Sequence, residues 1–308
     1  MSLHVLPLSR RGFLSSISGG IAVLNSTRSV GADDSVDPNK WAFLSDTHIA
    51  GDETTQAHGA TMFENLNRVI DEVLAERPKP TGVLINGDCA YLKGLSQDYQ
   101  TLAKAIARFT EAGLPVHFNM GNHDDRGPFY KAFAGHRPKN TPVKGKHVTI
   151  ITGPKANLFM VDSLRVVDHV TGELGKPQIK WLLAALKAHG GKPAVIVGHH
   201  NTQYMPKDSK ETVTGLKDTP EFIEALHSAS NAHAYVFGHT HDWKLKKTSG
   251  GLHLVNLPPT SYVFNETRPN GWVRVKLDEK RLHLELRALD KKHSQHGSKH
   301  VLEHRYAR

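Results

Sequence analysis

Five short segments hold most of the side chains that could do chemistry: Asp46-Thr47-His48, Gly87-Asp88, Gly121-Asn122-His123-Asp124, Gly198-His199 and Gly238-His239-Thr240-His241. Each follows an apolar run. Together they offer hard carboxylate and amide oxygens alongside imidazole nitrogens, a donor set suited to a pair of divalent metals such as manganese, iron or zinc. Two cations in one cleft can acidify a water and stabilise charge that builds on oxygen, which is the chemistry of displacement at phosphorus. Taken singly, the segments are unremarkable: Asp46-Thr47-His48 reads as a cap or turn and Gly87-Asp88 as a turn. The ordered set carries the signal.

The elements that must position these residues follow from the periodicity. Near-continuous apolar runs at 41–45, 82–86, 116–120, 157–161, 194–197, 234–237 and 253–256 predict strands covered on both faces. Helices are expected at about 57–76, 97–112, 177–188 and 219–228. In the first of these, Leu66, Val69, Ile70, Val73 and Leu74 show the three-and-four spacing of a face packed on a sheet. Pro177 opens a helix and Gly190-Gly191 closes it. Alternating strands and helices predict an α/β architecture, and the five segments then fall at the carboxyl ends of strands, where ligands gather in such folds. The glycines at 87, 121, 198 and 238 allow tight turns or a close backbone approach there. Runs 271–277 and 281–289 alternate apolar and polar residues around Asp278-Glu279-Lys280, the pattern of an antiparallel hairpin. No internal repeat or second domain is visible. Residues 291–308, basic and containing several histidines, are expected to be a mobile tail.

Composition limits the alternatives. The 308-residue chain carries a formal charge of +9, but its basic residues are scattered and not interleaved with aromatics, so no specific nucleic-acid partner is expected. A mildly positive field would still favour an anionic phosphate ester. The single cysteine, Cys89, excludes an intramolecular disulfide framework and a cysteine-based zinc site. At the N-terminus, Ser9-Arg10-Arg11-Gly12-Phe13-Leu14 precedes a short apolar stretch and then Val30-Gly31-Ala32. That order reads as a twin-arginine export signal over residues 1–32, cleaved after Ala32, and predicts a periplasmic or secreted enzyme. No stretch is long and apolar enough to span a membrane. Oligomeric state is not legible.

Across the chain from Trp41 to Leu289 the five-segment set resembles the calcineurin-like metallophosphoesterase superfamily. Val161-Asp162-Ser163, Gly172-Glu173-Leu174, Gln178, Trp181-Leu182, His199-His200 and the terminal hairpin make it most similar to the bacterial class III cyclic-nucleotide phosphodiesterase type. The resemblance implies a four-layer α/β/β/α sandwich over residues 38–290, ending in the antiparallel hairpin. It also implies one metal held by Asp46, His48 and His241, a second by Asn122, His199 and His239, and Asp88 bridging the two. A hydroxide bridging the metals would attack phosphorus, His123 would assist the leaving group, and Asp124 would orient His123 or hold its proton. The 125–148 loop, with Arg126, Tyr130, Lys131, Arg137 and Lys139, and the 201–216 loop, with Tyr204 and Lys207, are expected at the mouth of the site. Of these, Arg126 and Tyr204 are proposed substrate contacts, together with His200, which could instead cap the metal shell.

The reaction this predicts is phosphodiester hydrolysis on a small phosphate ester, either a cyclic nucleotide or a phospholipid head-group derivative. Gly87-Asp88-Cys89-Ala90-Tyr91 also fits the Gly-Asp-x-x-Tyr motif of purple acid phosphatases, which makes phosphate scavenging from monoesters the second reading. Because His48 stands where those enzymes have glycine, Tyr91 reads as a packing residue or one that supports a metal ligand from behind. A third reading, of a different class, is a non-catalytic metal- or polyphosphate-binding protein.

Overall fold

A computed structural model describes residues 35–137, 141–206 and 208–305. The export-signal region, Lys139 and Lys207 lie outside the described residues. The chain runs through β1 (Val36–Leu44), a short ribbon of β2 (Gln56–Ala57) and β3 (Ala60–Thr61), then α1 (Met62–Leu74), β4 (Lys79–Asn86), α2 (Ser96–Glu111), β5 (Val116–Asn119) and α3 (Arg126–Ala132). It continues with β6 (Thr149–Thr152), β7 (Asn157–Met160), α4 (Lys176–Ala188), β8 (Ala194–Val197), α5 (Thr219–Ser228) and β9 (Ala232–Phe237). The last strands are β10 (Lys244–Lys247), β11 (His253–Asn256), β12 (Gly271–Leu277), β13 (Arg281–Ala288) and β14 (Lys299–Glu303).

Two six-stranded sheets result, in the orders β14-β13-β12-β1-β4-β5 and β10-β11-β9-β8-β7-β6. In the first, β1, β4 and β5 are parallel and the C-terminal strands add antiparallel. In the second, β7, β8, β9 and β11 are parallel, with antiparallel β6 and β10 at the edges. Alternation along each strand decides what lies between the layers. On β1, Trp41 and Phe43 face the second sheet, where Leu158, Met160, Val195, Val197 and Val236 meet them. Ala42 and Leu44 face the other way, onto Leu66, Val69, Ile70 and Leu102 of α1 and α2. The outer face of the second sheet packs Phe159, Ile196 and Tyr235 against Leu182, Leu186, Phe222 and Leu226 of α4 and α5. Strands covered on both faces read as continuous apolar runs, and each fully buried large side chain contributes about 1.5–3 kcal/mol. The helix–sheet–sheet–helix layering is the expected sandwich.

Three expectations change. The first helix starts at Met62, not near 57, because residues 56–61 fold into the β2–β3 ribbon. The 125–148 segment is not all loop: Asp125 caps α3 by accepting from Gly127 N at 2.8 Å, and Pro128 in the first turn needs no N–H partner there. The supposed mobile tail is ordered through Arg305, with β14 pairing along β13. The buried Arg305 guanidinium then donates to the carbonyls of Leu226, Ala229, Ala232 and Gly250. Among the described residues, no helix is long and apolar enough to cross a membrane.

Candidate dinuclear metal centre

All five segments sit just beyond the carboxyl ends of parallel strands: Asp46 and His48 after β1, Asp88 after β4, Asn122 and His123 after β5, His199 after β8, and His239 and His241 after β9. Asp46, His48, Asp88, His239 and His241 all have positive φ, between 45° and 67°. Five non-glycine residues held in this sparsely populated region mark a place where the surroundings over-determine the backbone. The loops are stitched together by Asp46 N to Gly87 O at 3.2 Å and His48 N to Asp88 O at 2.9 Å. Gly121 permits a very close approach, since a Cβ there would stand 2.1 Å from Asp88 Oδ1.

A polar clasp beneath the site aligns the sheets. Asn86 Nδ2 donates to Gly198 O, Asn119 Nδ2 donates to Val197 O and Asn86 Oδ1, and the Asn86 carbonyl receives His199 Nδ1, each at 2.9 Å. Above it, side chains from both sheets converge in two groups whose ligand atoms lie within 4.8 Å of one another: Asp46, His48 and His241, and Asp88, His199 and His239. His48 Nε2 and His241 Nε2 point at one another across 3.0 Å. Asp88 Oδ2 lies 3.2 Å from His199 Nε2 and 3.7 Å from His48 Nε2, between the groups.

The donors fit a pair of divalent ions. The far nitrogens of three rings are fixed by backbone carbonyls: His199 by Asn86, His241 by Tyr262 at 2.7 Å and His239 by Thr214 at 2.7 Å. Such partners set the tautomer and aim the remaining nitrogen inward. Asn122 Oδ1 is buried with no hydrogen-bond partner among the described residues, as an oxygen reserved for a cation would be. Burial holds His48 and His241 below the usual imidazole range and takes His239 down to about 3, so these rings are neutral and ready to ligate. Burial also opposes charge on Asp88 and His199, but their mutual attraction prevails. Asp88 is held well below the carboxylate range and His199 is pushed up to about 9.

His123 borders the group, with its ring 5.4 Å from that of His48. Its orientation differs from expectation. Nδ1 lies 2.5 Å from Leu92 O and 3.5 Å from Asp168 Oδ1, while Asp124 is engaged elsewhere. The fully buried Asp124 carboxylate accepts from Gly121 N, Cys89 N, Ala90 N and Tyr99 Oη, tying the Asp88 loop to the Asn122 loop. Burial, with Asp88 nearby, raises it to about 6. Asp124 therefore orients loops instead of the His123 ring.

The expected substrate contacts also move. Arg126 is committed to Asp162, with Nε and Nη2 at 2.8 and 2.7 Å from its two carboxylate oxygens. Gln178 bonds the backbone of the same Asp162, which joins these residues in one hub around the buried Asp162 carboxylate. His200 is fully buried behind His199 and His239 and bonded to Ser163 Oγ at 2.7 Å, so it backs the ligand shell. Tyr204 is 62% exposed, and no described hydrogen bond or ring contact joins it to the centre. Tyr91 is half-buried against the α1–α2 core, and Cys89 is wholly buried. The sequence reading missed Leu92, Thr214 and Tyr262, whose backbone carbonyls leave no residue signature, and the Asn86–Asn119 clasp, which was absorbed into strand ends.

A two-sheet sandwich with this ligand set defines a metallophosphoesterase. The calcineurin-like phosphoesterase family model matches residues 40–243, and the chain belongs to that family. Its curated relatives include the cAMP/cGMP dual specificity phosphodiesterase of Mycobacterium tuberculosis, 23% identical over 75% of this chain and 70% of that protein. The 3',5'-cyclic adenosine monophosphate phosphodiesterase of Pseudomonas aeruginosa is 24% identical over 72% of this chain and 76% of that one. Among solved structures, a dimetal phosphatase from Danio rerio superposes with a TM-score of 0.66 at 14% identity, covering 87% of this chain and all of that one. That likeness concerns the fold.

Proposed function

We propose that this chain is an exported phosphodiesterase whose substrate class includes 3',5'-cyclic nucleotides. The observation that carries the reading is the pair of ligand groups around Asp88 with His123 at their edge. Relatives that are cyclic-nucleotide phosphodiesterases support the diester preference. Asp46, His48 and His241 would hold one divalent ion, and Asn122, His199 and His239 the other. Asp88 would serve both, because a carboxylate can face two cations whereas an imidazole offers one lone pair. When bound, the ions supply Lewis acidity and a nucleophilic water near neutral pH.

The remaining work falls to the side chains. Asp88 Oδ1 accepts from His123 N at 2.9 Å and so ties the His123 backbone to the ligand carboxylate. Leu92 and Asp168 occupy the Nδ1 side of the ring, leaving Nε2 to protonate the departing alkoxide. In the metal-loaded protein, phosphodiesters should be turned over faster than phosphomonoesters. His123→Ala should lose about 10²–10⁴-fold in kcat while elemental analysis still finds two metals per chain. Absence of diester turnover in the loaded wild type would sink the reading. The Arg10-Arg11 signal supports export, and sequencing of the N-terminus from periplasmic material should begin at Asp33. A protein retained uncleaved in the cytoplasm would refute export.

A further inference from the structure

Aromatic rings wall one side of the centre. Phe264 stacks on His241 with 4.4 Å between centroids and 30° between planes, yet 57% of it is exposed. Tyr262 contacts the rings of His48 and His241 at 5.1 and 4.7 Å. His58 stacks on Tyr262 at 4.8 Å and meets the Phe264 edge at 5.1 Å. His58 itself is held at φ 49°, followed by Gly59 at φ 76°, the two left-handed positions of a tight hairpin turn between β2 and β3. A β2–β3 ribbon this short buries little of its own, and its turn delivers an imidazole onto Tyr262. A non-glycine residue in that conformation is a local cost incurred beside the site.

The wall and His123 occupy the same side. The His48 ring touches both His123 and Tyr262, whereas His199, His200 and His239 pack on one another at the other ligand group. An alkoxide served by His123 would therefore carry its substituent along the wall. We infer that the exposed rings of Phe264 and His58, backed by the buried Tyr262, form a stacking surface for a planar group, a nucleobase or aryl ring, on the leaving alcohol of the phosphodiester. The inference rests on the phosphodiester reading of this site. Aromatic faces hold bases through stacking without reading their edges, so the surface selects for a ring and discriminates weakly among rings.

The test compares Phe264→Ala, Phe264→Tyr and His58→Ala with wild type on 3',5'-cyclic AMP and on glycerophosphocholine, whose alcohols carry no ring. The ratio of kcat/KM for cyclic AMP to that for glycerophosphocholine should fall about tenfold in Phe264→Ala, fall less in His58→Ala, and be restored in Phe264→Tyr. Calorimetric titration of the metal-loaded protein gives a second readout: the Kd ratio of AMP to inorganic phosphate should rise by a similar factor. If both ratios stay at wild-type values in both alanine variants, the wall does not bind the ring. Loss of phosphate affinity equal to the loss of AMP affinity would likewise overturn the inference, because Phe264 would then act only by propping His241. If the wild type hydrolyses neither diester, the phosphodiester reading fails, and the AMP-to-phosphate binding ratio still judges the wall separately.

Discussion

Asp124 shows how a residue can matter to a site without touching the reacting group. Its carboxylate satisfies three backbone N–H groups from the two loops that carry Asp88 and Asn122, together with the Tyr99 hydroxyl of α2. Asp124→Ala would orphan all of them in a dry interior, at about 1–3 kcal/mol for each unsatisfied group before relaxation. We expect thermal and denaturant melts to show a destabilisation of about 3–5 kcal/mol and metal titration to show a 10–100-fold weaker affinity. Tyr99→Phe should cost less, about 1–3 kcal/mol, because it leaves the three N–H bonds to Asp124 in place and loses only the hydroxyl's own bonds, the one it donates to Asp124 and the one it accepts from Asp125 N. His123→Ala, by contrast, should keep its metals. A variant of Asp124 that lost turnover at full stability and full metal content would restore it to a direct role with His123. The ligands were legible in the sequence because metal chemistry demands particular side chains. The partner of the His123 ring was not, since a Leu92 carbonyl looks like any other.

At the level of elements, legibility followed burial. Strands β8 and β11 and helix α5 were read to the residue, because continuous apolar runs and a clear amphipathic face leave few alternatives. Strand β10, Lys-Leu-Lys-Lys, was missed because an edge strand rich in lysine lacks the apolar signal and guards against further pairing. Strand β14 was missed for a similar reason, its residues alternating between exposed and half-buried. Helix α3 was hidden because Arg126-Gly127-Pro128 reads as a turn. The turn glycines were recognised, but only the structure shows that Gly121 faces Asp88 directly. Gly121→Ala forces a methyl group into contact with that carboxylate. We expect circular dichroism to report an intact fold while elemental analysis shows loss of at least one metal per chain, and full metal retention would contradict the close approach.

For the whole molecule, the arrangement of ligands across the two sheets has a thermodynamic corollary. Asp46, His48, Asp88 and Asn122 come from loops of the first sheet, and His199, His239 and His241 from loops of the second. Each ligand group draws on both. Chelation should therefore lower Tm measurably by calorimetry, since an ion bound at a hundred times its Kd adds about 2.7 kcal/mol. A melt indifferent to chelator would rule out metal binding in the folded state. Each cation would then act as a rivet through the seam of the sandwich, so starvation for metal would threaten the persistence of the protein as well as its turnover.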